Sequence, residues 1–158
     1  METKVVWHGR MSFTGSAETG FTVPLGASSS DDGDEDGFRP MELIATGLAG
    51  CTAMDVISIL QKKREEVTAF EVSVSAEQAG EHPKVFTRAS IQYTITGRAI
   101  DEASVTRAIE LSATRYCPAQ AMFSKIIPIE LKYQIFEAEG TDRRLVTKGE
   151  FAPSPISP

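Results

Sequence analysis

The chain has 158 residues, 41% of them apolar and 24% charged, which is ordinary for one soluble globular domain with a core of its own. The net charge of −6 is local: Asp31, Asp32, Asp34, Glu35 and Asp36 stand together without a base, and the rest of the chain is near neutral. The basic run Lys62-Lys63-Arg64 is followed at once by Glu65 and Glu66, which argues against nucleic-acid binding by charge. The first residues, Met-Glu-Thr-Lys-Val-Val-Trp, contain no apolar signal core, and the apolar stretch Leu43 to Met54 is about twelve residues, short for a membrane span. A cytoplasmic protein without a membrane partner is therefore expected.

In chain order, residues 4–25 read as a small antiparallel meander, punctuated by Gly9 and Gly15 and ending near Pro24. Residues 26–37 hold Gly, Ser and acids only, apart from Ala27, and read as a mobile, solvated loop. A helix is expected from Pro40 to about Lys63. Pro40 suits its first position, Glu42 complements the dipole in its first turn, and the basic run suits its end. Its middle is apolar nearly all round and includes Gly47 and Gly50, so it must be buried on most sides. One small domain can hardly do that, and packing against a second copy would solve it.

Two alternating strands follow, one through Phe70, Val72, Val74 and Ala76, the other from Val85 to Gly97, with a turn near Gly80 and Pro83. A second helix is expected from the cap Asp101, with Val105, Ile109, Ser112, Tyr116, Ala119 and Phe123 as its apolar stripe. Ile129, Leu131, Tyr133 and Ile135 alternate as a last strand. Residues 137–158 lose periodicity and are expected to be a tail without a core role. The sum is an α+β fold with antiparallel pairing, a single domain over 1–136.

The two cysteines, Cys51 and Cys117, lie 66 positions apart without a Cys-x-x-Cys motif. Neither they nor His8 and His82 show metal-ligand spacing, so no metal is expected. Cys51 falls mid-helix, where a buried thiol is commonly an apolar filler, and where reactivity requires a cation nearby. Cys117 precedes Pro118, which either only kinks the helix or restarts it with Cys117 as the cap.

The segment Pro40-Met41-Glu42-Leu43, then Ala49-Gly50-Cys51, then Tyr116-Cys117-Pro118 resembles the OsmC/Ohr family, the osmotically inducible and organic hydroperoxide resistance proteins. The YhfA-like subgroup is the nearest match, through Cys51-Thr52-Ala53-Met54-Asp55-Val56-Ile57-Ser58-Ile59-Leu60-Gln61-Lys62, Ile95-Thr96-Gly97-Arg98 and Leu111-Ser112-Ala113. The likeness covers about residues 3–136 and leaves out the acidic loop and the tail. It implies an intertwined homodimer in which antiparallel sheets enclose central helices. It also implies a thiol peroxidase: Cys51 attacks an organic hydroperoxide and becomes a sulfenic acid, Cys117 condenses with it to a disulfide, and an external dithiol reductant, often lipoyl-linked, restores both. No cofactor beyond the cysteine pair is implied.

The family's thiolate-supporting arginine maps to Arg10, with Arg39 and Arg115 as further candidates. Its carboxylate lies ten positions before the first cysteine, where this chain has Met41; the nearest acid is Glu42. Nine residues turn a helix by about 900° and advance it by about 13–14 Å, so a helix starting at Pro40 sets Glu42 on the face opposite Cys51. Asp55, four residues after Cys51, is the other acid near that face. Two functions remain open at this level. One is peroxide reduction by Cys51 and Cys117. The other is a non-enzymatic small-ligand or stress protein on the same fold with passive thiols.

Overall fold

The computed structural model describes residues 1–151, which form two compact units, Met1–Thr46 and the chain from Gly47 onward. In the first, β1 (Thr3–Gly9), β2 (Ser12–Ala17) and β3 (Thr22–Leu25) pair antiparallel in chain order, the expected meander. The turn between β1 and β2 is tight enough to hold Gly9 at φ 122° and Arg10 at φ 45°.

The acidic loop departs from expectation, because it is folded rather than featureless. Ser29–Asp31 makes a short 3₁₀ turn. The Arg10 guanidinium donates to the Asp34 carboxylate, and to both the backbone and side-chain oxygens of Asp32 at 3.2 Å. Ser12 Oγ donates to Asp36 at 2.6 Å. The backbone N–H and the hydroxyl of Ser29 both donate to Glu35, which holds that carboxyl below its usual range. Gly33 is buried with its Cα against the Ala27 backbone, where a Cβ would not fit. Arg10 supplies a counter-charge to two of the five acids, and serine donors hold Asp36 and Glu35.

Helix α1 (Pro40–Lys62) begins in the first unit and ends in the second. By length and composition alone it would suffice to cross a membrane, so the sequence estimate of a short apolar stretch was too narrow. Its stripe Leu48, Thr52, Val56 and Leu60 is nonetheless buried, at the four-residue spacing of one helix face.

The second unit continues with β4 (Glu66–Gln78), β5 (Phe86–Arg98), α2 (Glu102–Leu111), a π-helical turn (Ser112–Tyr116), α3 (Pro118–Phe123), β6 (Ile129–Glu139) and β7 (Asp142–Phe151). The sheet order is β4-β5-β6-β7. Val56 and Leu60 pack with Ile91, Tyr93 and Ile95 of β5, Val105 and Ile109 of α2, and Leu131 and Ile135 of β6. Asp101 caps α2 as expected, its carboxylate accepting from the N–H groups of Ala103 and Ser104.

Three expectations are corrected here. β5 and β6 pair parallel, with α2 and α3 in the crossover, so pairing is not antiparallel throughout. The stripe drawn through one long helix breaks at the π turn, leaving Tyr116 half exposed at 50%. Residues 137–151 are not a tail: they complete β6 and form β7, paired from Leu131–Phe151 to Glu139–Asp142, with Phe151 packed on the core. The remainder of the supposed tail, 152–158, lies outside the described residues.

Candidate active site

Cys117 is the N-cap of α3. Its backbone is extended (φ −78°, ψ 104°), Pro118 takes the first helical position, and the Gln120 N–H donates to Cys117 Sγ at 3.4 Å. Of the two readings of Cys-Pro left open above, the restarted helix is the one observed. The preceding π turn is closed by the Cys117 N–H donating to the Ser112 carbonyl at 2.9 Å. Single π turns are frequent at functional sites, where they re-aim one side chain.

Cys51 on α1 is half-buried, Cys117 is buried, and both are free thiols. The two thiols lie near enough that Cys51 helps to hold the Cys117 thiol protonated. Burial pushes the Cys117 thiol up to about 12. The Gln120 N–H opposes that shift, while Cys51 and Asp55 add to it.

Behind the two sulfurs lies a buried polar cluster that the sequence reading did not assemble. Thr52 Oγ1 is 2.7 Å from Tyr93 OH and 2.9 Å from Ser112 Oγ. Gln120 Nε2 donates to Thr52 Oγ1 at 2.8 Å and to Tyr93 OH at 3.3 Å. Ser112 Oγ donates to Asp55 Oδ2 at 3.1 Å. Burial pushes the Tyr93 phenol up to about 12, against the pull of Thr52 and Gln120. Ser112 in an otherwise apolar stripe, and Tyr93 at a core-facing strand position, were the available signals. Their shared partner Thr52 was not, because it lies 41 and 60 positions away.

The other candidate residues have partners of their own. Arg10 is paired with Asp32 and Asp34. Glu42 accepts from the Arg39 N–H at 3.0 Å, one arm of a capping box, and pairs with Arg39 Nε at 3.4 Å, so it closes the start of α1. Arg115 lies 5.5 Å from the ring centre of Tyr116. Among the described residues no group of three or more His, Cys, Asp and Glu stands together as a metal site.

Comparison with known proteins agrees with this architecture. Residues 33–132 match the family model described as OsmC-like protein. Protein YhfA of Escherichia coli (strain K12) is 34% identical over 138 residues, covering 87% of this chain and all of that protein. The OsmC-like protein from Mycoplasma pneumoniae superposes with a TM-score of 0.72 at 16% identity, over 85% of this chain and 95% of that one. The organic hydroperoxide resistance protein OsmC from Legionella pneumophila does so with a TM-score of 0.63 at 15% identity, over 85% and 94%. The match to that family model over most of the chain, with the likeness to YhfA along its full length, places the chain in the OsmC-like family, within the OsmC/Ohr group that its motifs resemble.

Proposed function

We propose that the chain reduces organic hydroperoxides with Cys51 and Cys117. What supports this is that Cys51, in the middle of α1, lies close enough to Cys117, the cap of α3, to act on its ionisation. The Cys51 thiolate attacks the distal peroxide oxygen. The O–O bond breaks, the leaving alkoxide takes up the proton that Cys51 gave up on ionising and departs as the alcohol, and Cys51 becomes a sulfenic acid. Cys117 sulfur then bonds to Cys51 sulfur, and the hydroxyl departs as water with the Cys117 proton. An external dithiol returns both thiols, in keeping with a reducing, cytoplasmic setting.

Within this reading the working species is a homodimer. Ile44 and Met54 of α1 are 42% and 74% exposed in the single chain, and Val5, Trp7 and Phe21 of the first unit 60%, 63% and 81%. Apolar exposure of that extent suits an interface between copies. Arg10, Arg39 and Arg115 remain the candidates for supporting the Cys51 thiolate, to be separated by the pH dependence of Cys51 alkylation in the three alanine variants.

One observation favours a second reading. The Cys117 thiol is held strongly protonated, as a passive buried thiol would be. A non-enzymatic small-ligand or stress protein on this fold would show that property and nothing more.

Cumene hydroperoxide distinguishes the two. Peroxide reduction consumes two thiols per chain without crosslinking copies and is abolished in Cys51→Ser. Cys117→Ser consumes about one equivalent of peroxide and leaves a sulfenic acid on Cys51 that dimedone traps. A trappable sulfenic acid on Cys117 in Cys51→Ser inverts the roles, and intact thiols in the native protein select the second reading.

A further inference from the structure

The hydrogen-bond chain behind the cysteines has a direction, and one charge sets it. An ionised carboxylate only accepts, so the Ser112 hydroxyl proton is committed to Asp55. Ser112 is then left with lone pairs for Thr52, whose proton is committed to Ser112. Thr52 in turn accepts from Tyr93 OH and from Gln120 Nε2. Tyr93 oxygen accepts the second contact from Gln120. Every hydroxyl in the chain therefore points its proton toward Asp55. Gln120 stands at the far end, and its backbone N–H is the donor at the Cys117 sulfur.

We propose that Asp55 is a positioning residue for the cysteine pair: its carboxylate orders the chain Ser112–Thr52–Tyr93–Gln120, and through Gln120 that chain fixes the first turn of α3 with Cys117 set against Cys51. Thr52, Ser112 and Gln120 are each buried, so a disordered chain has no water to fall back on. Asp55 acts on the pair in two opposite ways. Its charge disfavours ionisation of Cys117, whereas its ordering of the chain favours closure of the disulfide. Asn at this position keeps the shape, removes the charge and adds a competing donor. If charge were the whole effect, Asp55→Asn would make Cys117 more acidic and speed closure. Positioning requires the reverse.

This inference rests on the peroxidase reading for its natural oxidant, but closure can be driven without peroxide. Diamide takes two electrons and two protons from the thiol pair, becoming the hydrazine and leaving the S–S bond. Closure is followed by loss of free thiol in the full-length native protein, Asp55→Asn, Ser112→Ala and the double variant. Asp55→Asn and Ser112→Ala each slow intramolecular closure about tenfold. The double variant is no slower than the slower single one, because both changes break the same chain. Single-thiol alkylation of Cys51 at the same pH does not slow in either. Closure at the native rate or faster in Asp55→Asn overturns the proposal, as does additivity of the two changes. Should Asp55→Asn not fold, an unchanged rate in Ser112→Ala overturns it equally. Slow closure with diamide in the variants, beside native thiols inert to cumene hydroperoxide, keeps this inference and removes the peroxidase reading.

Discussion

Gln120 donates its backbone N–H to the Cys117 sulfur at 3.4 Å and its side-chain amide to Thr52 at 2.8 Å. One residue thus joins the cap of α3 to a buried hydroxyl next in sequence to Cys51. The N–H favours the thiolate of Cys117, but burial outweighs it, and the thiol stays protonated at neutral pH.

That balance predicts which thiol is alkylated. A thiol at about 12 is ionised to on the order of one part in 10⁴ at pH 8. Brief iodoacetamide treatment of the native protein at pH 8 is expected to label Cys51 and spare Cys117, and both become labelled in urea. Peptide mass spectrometry reads the site, and labelling of Cys117 first would show that its burial is not maintained.

Stability should fall on the alkaline side. Cys117 is raised from 9.0 to about 12 and Tyr93 from 10.0 to about 12 in the folded state. A raised value stabilises the fold fully below the unfolded value, and the contribution is lost as pH climbs toward the folded one. Unfolding free energy from urea titrations should therefore decline from about pH 9 upward. In Cys117→Ser the decline between pH 9 and 10 should be shallower, because there only the thiol, not the phenol, has begun to titrate in the unfolded chain.

Thr52→Val tests the polar cluster as structure. The shape is kept, but Ser112 and Gln120 lose their shared partner in a site closed to water. A loss of about 2–3 kcal/mol is expected in chemical unfolding. A loss under about 0.5 kcal/mol would mean that the cluster rearranges freely.

The acidic loop is expected to depend on backbone fit more than on charge. The Arg10 pairs with Asp32 and Asp34 are exposed, so Arg10→Ala should cost under about 1 kcal/mol. Gly33→Val has no room against Ala27 and should open the loop to protease between residues 27 and 37. Equal protease resistance of both variants would count against a folded loop.

Phe151→Ala checks the reassigned end of the chain. The ring is partly buried on the core of the second unit, and its loss should cost about 2 kcal/mol. An unchanged unfolding midpoint would return β7 to the status of a dispensable tail.

Local chemistry made much of this legible in advance. Pro40 and the basic run bounded α1, alternation gave β4 and β5, Asp101 announced the cap of α2, and Cys117-Pro118 offered the cap of α3. In each case the signal and the structure it specifies lie within a few residues of each other. The paired cysteines with Cys-Pro at the second also carried the family.

What the tertiary structure alone decided involves residues distant in sequence. Alternation in β6 is the same whether its neighbour runs parallel or antiparallel, so the parallel pairing with β5 had no local signature. β7 is an edge strand with Arg143, Arg144, Lys148 and Glu150 exposed, and its weak apolar pattern hid it. The acidic loop looked repulsive, but Arg10, more than twenty positions away, pairs with two of its acids, and serine hydroxyls and the close fit of Gly33 hold the rest. Thr52, Tyr93, Ser112 and Gln120 come from α1, β5, the π turn and α3, and each alone reads as an ordinary polar residue. Only packing brings their hydroxyls and amide within hydrogen-bond range, and groups so buried must find their partners among protein neighbours, Asp55 included.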